Sequence, residues 1–430
     1  MITIPFNRPF IVGKELYYIA QAVQLGHLAG NGAFTKKCEA WMEEHFIAKK
    51  VRLTHSCTAA LEMAAILADI QPGDEVILPS YTFVSTANAF ALRGASLRFV
   101  DIREDTLNLN ECLIEEAITE KTKAIVPVHY ASVGCEMDTI LAIAKEHNLL
   151  VIEDAAQGVN ATYKGRYLGT IGHLGCYSFH ETKNYISGEG GALVINDERF
   201  LERAEIIREK GTNRSKFFRG EVDKYTWVDI GSSYLPSELV AAFLYAQIEE
   251  ADTINNRRRF IWRTYYDSLL QLQEEGFLRL PFVPNECGHN AHMFYLILPS
   301  EGVRDELIGF LKKHGVHSVF HYIPLHLSPM GMRFSSVKER LTVTEQMSSR
   351  IVRLPCYFDL TSEDQNNIIG LIRSFLRRKR AEIKSIHPHR YQKGRSVRTQ
   401  EFGTQGATDL AGEVHPQKNL PRRQSRKLPS

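Results

Sequence analysis

The chain has 430 residues, of which 44% are hydrophobic and 24% are charged, and its formal net charge is +2. This length is about two to three times that of an average domain, so we expect one large domain and one smaller one. The composition is typical of a water-soluble protein, and no run of about 18 apolar residues predicts a transmembrane helix.

Short apolar segments alternate with helical patterns between about residues 50 and 200, which predicts an α/β domain with a mainly parallel sheet. The predicted strands of this domain are 51–54, 75–79, 97–101, 124–128, 149–153, 175–179 and 192–196. The helices predicted between them include 59–68, 86–93 and 137–148. A long helical stretch, 236–272, then leads to a second region with predicted strands 293–298 and 316–320 and predicted helices 304–314 and 362–377.

This pattern predicts a large domain over 1–240, a linking helix with a smaller domain over 241–377, and a tail over 378–430. Residues 377–430 hold 14 Lys or Arg and four acidic residues, whereas acids outnumber bases in the rest of the chain. Large apolar side chains are rare beyond residue 395, so we expect the tail to be disordered. A basic tail can attract nucleic acid or anionic lipid, but the acidic body offers no second positive face. We therefore expect no nucleic-acid partner and no membrane insertion.

The seven cysteines are widely scattered and form no Cys-x-x-Cys pair. This spacing argues against a zinc site and against a disulfide framework. The amino terminus has no basic segment followed by an apolar one, so no signal peptide is predicted. We expect a cytoplasmic protein with reduced cysteines and no metal.

A carboxylate ends one of the predicted strands, in the segment Val151-Ile152-Glu153-Asp154-Ala155-Ala156-Gln157. Open α/β sheets bind ligands at the carboxyl ends of their strands. A carboxylate there can keep a pyridine nitrogen protonated, and a protonated ring is the electron sink that stabilises a carbanion. An Asp at a strand end also binds metals or caps the next helix, so this motif alone leaves those alternatives open.

A lysine follows the predicted strand 175–179, in the segment Gly175-Cys176-Tyr177-Ser178-Phe179-His180-Glu181-Thr182-Lys183. A lysine at the rim of a sheet can form a Schiff base with an aldehyde if desolvation or nearby positive charge lowers its pKa. Ser178 and His180 are placed to reach an anionic group beside it. The ordinary alternative is a solvated surface lysine.

A third motif, Leu53-Thr54-His55-Ser56-Cys57-Thr58-Ala59-Ala60-Leu61, combines a strand, a small polar turn and an Ala-rich helix. The free backbone N–H groups at the start of such a helix bind phosphate readily. A Ser or Thr that only caps the helix is the alternative reading. The three motifs together, in this order, are much harder to explain by chance than any one of them.

Over about residues 5–376 the chain resembles the nucleotide-sugar aminotransferases, which depend on pyridoxal 5′-phosphate (PLP). The matching segments are Ser56–Leu61, Pro79–Thr86, Glu153–Gln157 and Ser178–Lys183. The resemblance implies a type I PLP-dependent transferase fold, like that of aspartate aminotransferase. That fold has a large α/β domain with a mainly parallel sheet and a smaller carboxyl-terminal α+β domain.

The resemblance also implies how PLP is held. Lys183 bonds the cofactor aldehyde and moves the protons, Asp154 pairs with the ring nitrogen, and Gln157 approaches the ring hydroxyl. Phe83 stacks on the ring face. Thr58, Ala59 and Ser178 hold the phosphate.

Many family members add an Asn from the partner subunit near that phosphate, and Ser233 stands at its position here. This departure puts the contact between subunits in doubt. A homodimer with shared active sites is expected by analogy with the family. The implied substrates are L-glutamate and a keto sugar nucleotide, dTDP-4-dehydro-6-deoxy-D-glucose. Tyr322 and His326 match a stretch that lies near the sugar in the family.

Three rival functions remain to be weighed against the residues. A PLP-dependent sugar dehydratase of the same fold carries His at the position of Lys183. A non-catalytic regulator or sugar-nucleotide-binding protein of this fold is expected to lose Asp154 or Lys183, and this chain has both. The third rival, a nucleic-acid-binding protein, is favoured by the basic tail alone.

Overall fold

A seven-stranded sheet lies at the centre of the region that carries all three motifs. The computed structural model describes residues 2–336 and 340–386, so most of the tail predicted over 378–430 lies outside the described residues. In chain order the strands are β1 Lys50–Thr54, β2 Glu75–Pro79, β3 Ser96–Val100, β4 Thr122–Ile125, β5 Leu150–Asp154, β6 Thr162–Tyr163, β7 Arg166–Tyr167, β8 Leu174–Ser178, β9 Gly191–Ile195, β10 Cys287–Gly288, β11 Phe294–Ile297 and β12 Ile351–Leu354.

The helices of the described residues surround this sheet and continue into the second region. They are α1 Glu15–Gln24, α2 Ala33–His45, α3 Cys57–Leu67, α4 Val84–Ala91, α5 Ile114–Ala117, α6 Met137–Glu146, α7 Leu201–Arg208, α8 Arg214–Phe218, α9 Glu238–Glu249, α10 Ala251–Glu274, α11 Glu301–Lys313, α12 Pro329–Phe334, α13 Thr342–Arg350 and α14 Ser362–Ile386. None of these helices is both long enough and apolar enough to span a bilayer.

The central sheet has the strand order β1-β9-β8-β5-β4-β2-β3. Strands β8, β5, β4, β2 and β3 are parallel to their neighbours in this series, and β9 runs antiparallel to both β1 and β8. The expected mainly parallel sheet is thus confirmed. Because β5 and β8 are parallel neighbours, their last residues, Asp154 and Ser178, lie at the same edge of the sheet.

Both faces of the sheet are covered, which is the usual condition of parallel strands. Adjacent residues of β5 show this directly: Val151 belongs to a core formed with α2, α6 and α9, while Ile152 belongs to a core formed with α3, α4 and α7. Successive side chains of a strand point to opposite faces, so a buried strand reads as a continuous apolar run rather than as an alternation. Packing on both faces holds the strands in place and thereby sets the positions of the motif residues at their carboxyl ends.

The stretch predicted as one helix over 236–272 forms two helices, α9 and α10. The backbone at Glu250 (φ −104°, ψ 20°) leaves the helical conformation between them. Leu244 in α9 packs on the core of the central sheet, whereas Tyr265 in α10 packs on a separate core with β11, α11 and α14. The chain therefore changes direction so that each helix covers a different core.

The prediction of a strand over 316–320 is wrong. Within the described residues this segment forms only isolated bridges, of Val316 with Ile4 and of Val319 with Arg353. It divides its hydrogen bonds between two different neighbours, so no continuous ladder forms. The strand paired with β11 is β12, which the sequence did not predict. The division of the chain at residue 240 into two domains stays a prediction.

Candidate active site

A cavity of about 710 Å³ lies at the carboxyl ends of β5 and β8. Its volume is within the usual range for a site that binds a small molecule. The sequence-predicted site residues that line it are Thr58, Phe83, Asp154, Gln157, Ser178, Lys183 and Tyr322. The three motifs, which are far apart in sequence, therefore meet at one edge of the sheet.

Asp154 is a buried carboxylate that is held at both oxygens. Its Oδ2 accepts a hydrogen bond of 2.6 Å from the hydroxyl of Thr86 in α4, and its Oδ1 accepts one of 3.0 Å from the N–H of Ala156. These two bonds restrict rotation of the carboxylate at the floor of the cavity. Neither donor carries a charge that would neutralise it, so the side chain can still pair with a cationic group of a ligand.

Lys183 lies in the turn between β8 and β9, and its backbone N–H donates to the carbonyl of His180 at 2.8 Å. Burial lowers the pKa of its amine, and the nearby charge of Arg353 lowers it further, while Cys57 and Asp154 act in the opposite direction. A lowered pKa increases the fraction of neutral amine, which is the nucleophilic form. Lys183 is therefore not the solvated surface lysine of the alternative reading.

Gln157 follows β5, and its side chain is fixed by two contacts. Its Oε1 accepts a hydrogen bond of 2.7 Å from the N–H of Ala131, and its Nε2 donates to the hydroxyl of Tyr322 at 3.1 Å. Because the backbone N–H of Ala131 can only donate, the amide oxygen must face it. The amide N–H₂ group is therefore the part of Gln157 that points toward the cavity and toward Tyr322.

The ring of Phe83 is 56% exposed and lies at the start of α4 on the cavity wall. Its centroid is 6.2 Å from that of Tyr322. The ring of Tyr322 stacks on His321 with the centroids 3.6 Å apart. Phe83 thus keeps an aromatic face available, whereas Tyr322 is held by a second ring and by Gln157.

The start of α3 forms the polar end of the cavity. Ser56 caps the helix by accepting from the N–H of Ala59 at 3.1 Å, and the hydroxyls of Thr58 and Ser85 lie 2.7 Å apart. Gly191 at the start of β9 permits this arrangement, since a Cβ there would lie 2.4 Å from the backbone of the Ser56–Cys57 turn. Hydroxyls at a helix amino terminus are suited to bind an anion.

The remaining candidates do not line the cavity. Ala59 uses its N–H in the cap, and Ser233 is exposed on the surface. His326 is mostly buried, where its Nδ1 lies 2.7 Å from the hydroxyl of Ser80 and its Nε2 lies 3.5 Å from Glu345. Three contacts therefore stay predictions: that of Ala59 with the phosphate, that of Ser233 with the partner subunit's site and that of His326 with the sugar.

The structure adds residues that the sequence analysis did not assign to the site. Phe6, Arg258, His292, His321 and Arg353 all line the cavity. Two of them had a sequence signal. His321 begins the stretch 321–326 that resembles the family near the sugar, and Arg353 is a charged residue inside the short apolar run that forms β12. The others come from segments that no motif connects to the strand ends.

Two of these added residues are histidines whose pKa values are lowered. Burial lowers the pKa of His292 well below its usual value, and Lys183, Arg258 and Arg353 lower it further. Burial and the charge of Arg353 do the same for His321. The two histidines therefore add little positive charge to this part of the cavity.

The donor set fits PLP. The carboxylate of Asp154 matches a protonated pyridine nitrogen, and the amine of Lys183 matches an aldehyde. The free face of Phe83 matches an aromatic ring. The hydroxyls of Thr58 and Ser178, at the helix start and at the end of β8, match a phosphate group.

Two known proteins match the chain over most of its length. The chain is 32% identical over 382 residues to the spore coat polysaccharide biosynthesis protein SpsC of Bacillus subtilis, covering 87% of this chain and 97% of that protein. It is 34% identical over 348 residues to a pleiotropic regulatory protein of Geobacillus stearothermophilus, covering 80% and 90%.

Solved structures give the same result. The aminotransferase TlmJ from Streptoalloteichus hindustanus is 28% identical with a TM-score of 0.79, over 87% of this chain and 99% of that one. A DegT DnrJ EryC1 StrS aminotransferase from Brucella abortus is 29% identical with a TM-score of 0.75, over 84% and 95%. The model of the DegT/DnrJ/EryC1/StrS aminotransferase family matches residues 10–373. The chain therefore belongs to the DegT/DnrJ/EryC1/StrS aminotransferase family, whose cofactor is PLP.

Proposed function

We propose that this chain transfers an amino group from L-glutamate to dTDP-4-dehydro-6-deoxy-D-glucose and so forms dTDP-4-amino-4,6-dideoxy-D-galactose. The observation that carries the transamination is the meeting of Lys183 and Asp154 in one cavity. A nucleophilic amine bonds the cofactor aldehyde, and a fixed carboxylate keeps the cofactor ring protonated as an electron sink.

When bound, PLP supplies an electron-withdrawing ring that stabilises negative charge on the carbon that gains or loses the amine. In our proposal Asp154 keeps the ring nitrogen protonated, and Gln157 directs its N–H₂ group to the ring hydroxyl. Phe83 covers one face of the ring. Thr58 and Ser178 hold the phosphate and thereby orient the reacting edge toward Lys183.

Lys183 has two tasks in this proposal, to bind the cofactor at rest and to carry a proton during turnover. Its lowered pKa favours both, since a neutral amine can attack an aldehyde and can then accept a proton from a carbon acid. The lowered pKa values of His292 and His321 make them weak proton acceptors, so the proposal assigns proton transfer to Lys183.

Sequence likeness supports the sugar. The segments His180–Tyr185, Gly211–Ser215 and Asp223–Trp227 resemble those of dTDP-4-amino-4,6-dideoxygalactose transaminase, which serves enterobacterial common antigen synthesis. The relative SpsC is named for polysaccharide biosynthesis, which agrees with a role in making a surface polysaccharide. We also propose that the reaction takes place in the cytoplasm, where free cysteines such as these seven stay reduced.

A homodimer is part of the proposal. Aromatic and apolar side chains are exposed on the segment that precedes Ser233, including Phe218, Tyr225 and Trp227, the last of them 76% exposed. Several large exposed apolar side chains on one short segment are a candidate interaction surface. We propose that this segment covers the partner's cavity and brings Ser233 toward the partner's phosphate site. Size-exclusion chromatography with light scattering tests the dimer.

A regulatory role is the second candidate, because one relative is named a pleiotropic regulatory protein. The geometry favours catalysis, since a regulator has no need for an amine of lowered pKa beside a fixed carboxylate. A dehydratase would lack the lysine. Transamination of a different keto sugar nucleotide would use the same residues, so only the substrate assay separates it.

The test is to incubate the PLP-loaded protein with L-glutamate and dTDP-4-dehydro-6-deoxy-D-glucose and to identify the product by nuclear magnetic resonance. We expect an axial amino group at C4, as in the galacto configuration. A gluco product would replace the assigned product, and turnover only with a UDP-linked or 3-keto sugar would replace the assigned substrate. Both results would keep the transaminase. No amine transfer to any keto sugar nucleotide would contradict the proposal. Lys183→Ala is the matched control.

A further inference from the structure

A second cavity, of about 10 Å³, adjoins the large cavity of the active site. Lys183 and His292 line both, so the two cavities meet at these side chains. The residues that line only the small cavity are Val159, Asn184, Tyr185 and Asn290. A space of about this size holds one water molecule, provided that two to four polar groups surround it.

Asn290 brings an unpaired acceptor to the small cavity. Its side chain is 1% exposed, and its Nδ2 donates to the carbonyls of Gln157 at 3.0 Å and Val159 at 2.8 Å. Because a carbonyl can only accept, these two bonds fix the orientation of the amide. The buried Oδ1 has no hydrogen-bond partner among the residues that the structure describes. Buried acceptors are almost always satisfied in folded proteins, either by the chain or by an ordered water.

His292 brings a second acceptor. Asn184 donates its Nδ2 to the carbonyl of Asn290 at 2.8 Å, so its Oδ1 is the atom that lies 3.2 Å from Nδ1 of His292. An amide oxygen can only accept, so Nδ1 carries a proton. Burial lowers the pKa of His292 well below its usual value, and nearby positive charge lowers it further. At neutral pH the ring therefore carries one proton, and Nε2 is left as an acceptor.

Charge and size favour a water molecule over an ion in the small cavity. The charges of Lys183, Arg258 and Arg353 all oppose protonation of His292, so a cation beside this ring would be repelled as well. An anion would face the oxygen of Asn290. The occupant must donate to acceptors, accept from a lysine amine and be about the size of one non-hydrogen atom. Water meets all three conditions.

We propose that one water molecule binds in the small cavity and orients the amine of Lys183. The water donates a hydrogen bond to Oδ1 of Asn290 and accepts one from the amine whenever the cofactor is not bonded to it. With one N–H directed into the small cavity, the lone pair of the neutral amine turns toward the large cavity, where the substrate carbon lies. The orienting role rests on the proposed function, whereas the water site itself does not.

High-resolution crystal structures of the PLP-loaded protein, before and after reaction with L-glutamate, locate the water directly. We expect density for one water about 2.7–3.2 Å from Oδ1 of Asn290 in both. After the reaction, which frees the lysine, the same water should also lie within hydrogen-bond distance of Nζ of Lys183. A small cavity without density for a water would overturn the proposal.

Replacing Val159 with Ile fills the small cavity with one methylene group and alters no polar atom. Val159 lines only the small cavity, and its carbonyl remains available to Asn290. We expect the density for the water to disappear and the saturating rates of both half-reactions to fall roughly 3- to 10-fold, the scale of one lost hydrogen bond. The half-saturating concentrations should change less than about twofold.

Val194→Ile is the matched control. Val194 belongs to the same hydrophobic core as Val159 but lines neither cavity. It should show a similar change in melting temperature, because the same group is added to a packed core, together with wild-type rates. If Val159→Ile does not fold, Val159→Met carries the test, since a flexible side chain can fill the same space with less strain.

The pH profile separates an orienting water from a packing effect. A hydrogen bond to the water favours the ammonium form of Lys183, so loss of the water lowers the pKa of this amine further. Its neutral form takes up the proton in the glutamate half-reaction, so the saturating rate rises as the pH increases through that pKa. In Val159→Ile we expect this acid limb to move about half a pH unit or more to lower pH. In Val194→Ile it should stay in place.

Wild-type rates and an unmoved acid limb, in a folded Val159 variant whose crystal structure lacks the water, would overturn the orienting role. Equal changes in Val194→Ile would do the same, because they would assign the effect to packing. The glutamate half-reaction needs no sugar, so an error in the assigned sugar leaves these measurements readable. A wild-type protein that does not react with L-glutamate would contradict the proposed donor instead, and the density would still test the water site.

Discussion

Thr86 donates its hydroxyl proton to Oδ2 of Asp154 over 2.6 Å, and this bond joins α4 to the end of β5. A hydroxyl has one proton, so in its contact of 2.9 Å with Thr82 the Thr86 oxygen must accept. The two threonines therefore form a directed chain that ends on the carboxylate. Thr86 is a positioning residue, which acts on the reaction through Asp154.

Replacing Thr86 with Val keeps the shape of the side chain and removes the donor. We expect kcat to fall roughly 10-fold, on the scale of one lost hydrogen bond to a charged group, with KM nearly unchanged. The pH dependence of the bound cofactor's absorbance should shift as well. Without the bond from residue 86, Asp154 is less well positioned to keep the pyridine nitrogen of the cofactor protonated. Thr86→Ser should restore both properties, and an unchanged absorbance titration in the Val variant would contradict the positioning role.

Replacing Lys183 with Ala should leave the fold intact and abolish turnover. The amine that bonds the cofactor and the base that moves the proton are lost together. The visible absorbance due to the covalent bond between the lysine and the cofactor should also disappear. Lys164→Ala is a matched control, since this lysine is exposed on the surface and pairs with Asp138. Amine transfer at the wild-type rate by Lys183→Ala would remove this residue from the mechanism.

Replacing Asp154 with Asn should allow PLP to bind but slow both half-reactions by about 10²-fold or more. A neutral amide cannot hold the ring nitrogen protonated through a charge-assisted hydrogen bond. Stopped-flow absorbance of each half-reaction gives the rate directly. Wild-type rates in this variant would show that another residue supports the ring nitrogen.

Replacing Gly191 with Ala should loosen the phosphate end of the cavity. The new Cβ would lie 2.4 Å from the backbone of the Ser56–Cys57 turn, so α3 would have to move away from β9. We expect a loss of about 1–3 kcal/mol in the free energy of unfolding and weaker retention of PLP during dialysis. Gly309→Ala is the control, since Gly309 lies inside α11 with no atom within 4 Å of its Cβ position. That change should stabilise the protein by up to about 1 kcal/mol.

Protonation of His289 should contribute to loss of stability at acidic pH. Burial lowers its pKa to about 4 from an ordinary value of 6.5, and Arg259 contributes. In this interval the unfolded chain binds more protons than the folded protein, so the free energy of unfolding decreases as the pH falls from 6.5 toward 4. Between pH 7 and pH 5 we expect His289→Gln to lose about 1–2 kcal/mol less than the wild type in urea denaturation. The exposed His147, changed to Gln, should show the wild-type pH dependence.

The sequence alone determined the parts of this protein that are local. Short runs of apolar residues predicted the strands of the central sheet. A strand that is buried on both faces is apolar along its whole length, so it can be identified without knowing which strands it pairs with. Polar residues at the strand ends or in the turns that follow, such as Asp154 and Lys183, lie at one edge because parallel strands share the direction of their carboxyl ends. This reasoning placed one wall of the cavity.

The tertiary structure alone decided the opposite wall and the surroundings of each side chain. Phe6 and Arg353 are far apart in the chain and become neighbours only because β12 and the amino-terminal segment pack against the same residues, 316–319. The sequence could not show that His326 contacts Ser80 instead of the cavity, or that Thr86 fixes Asp154. Such contacts depend on how separate elements pack, and packing depends on side chains distributed over the whole chain rather than on any local pattern.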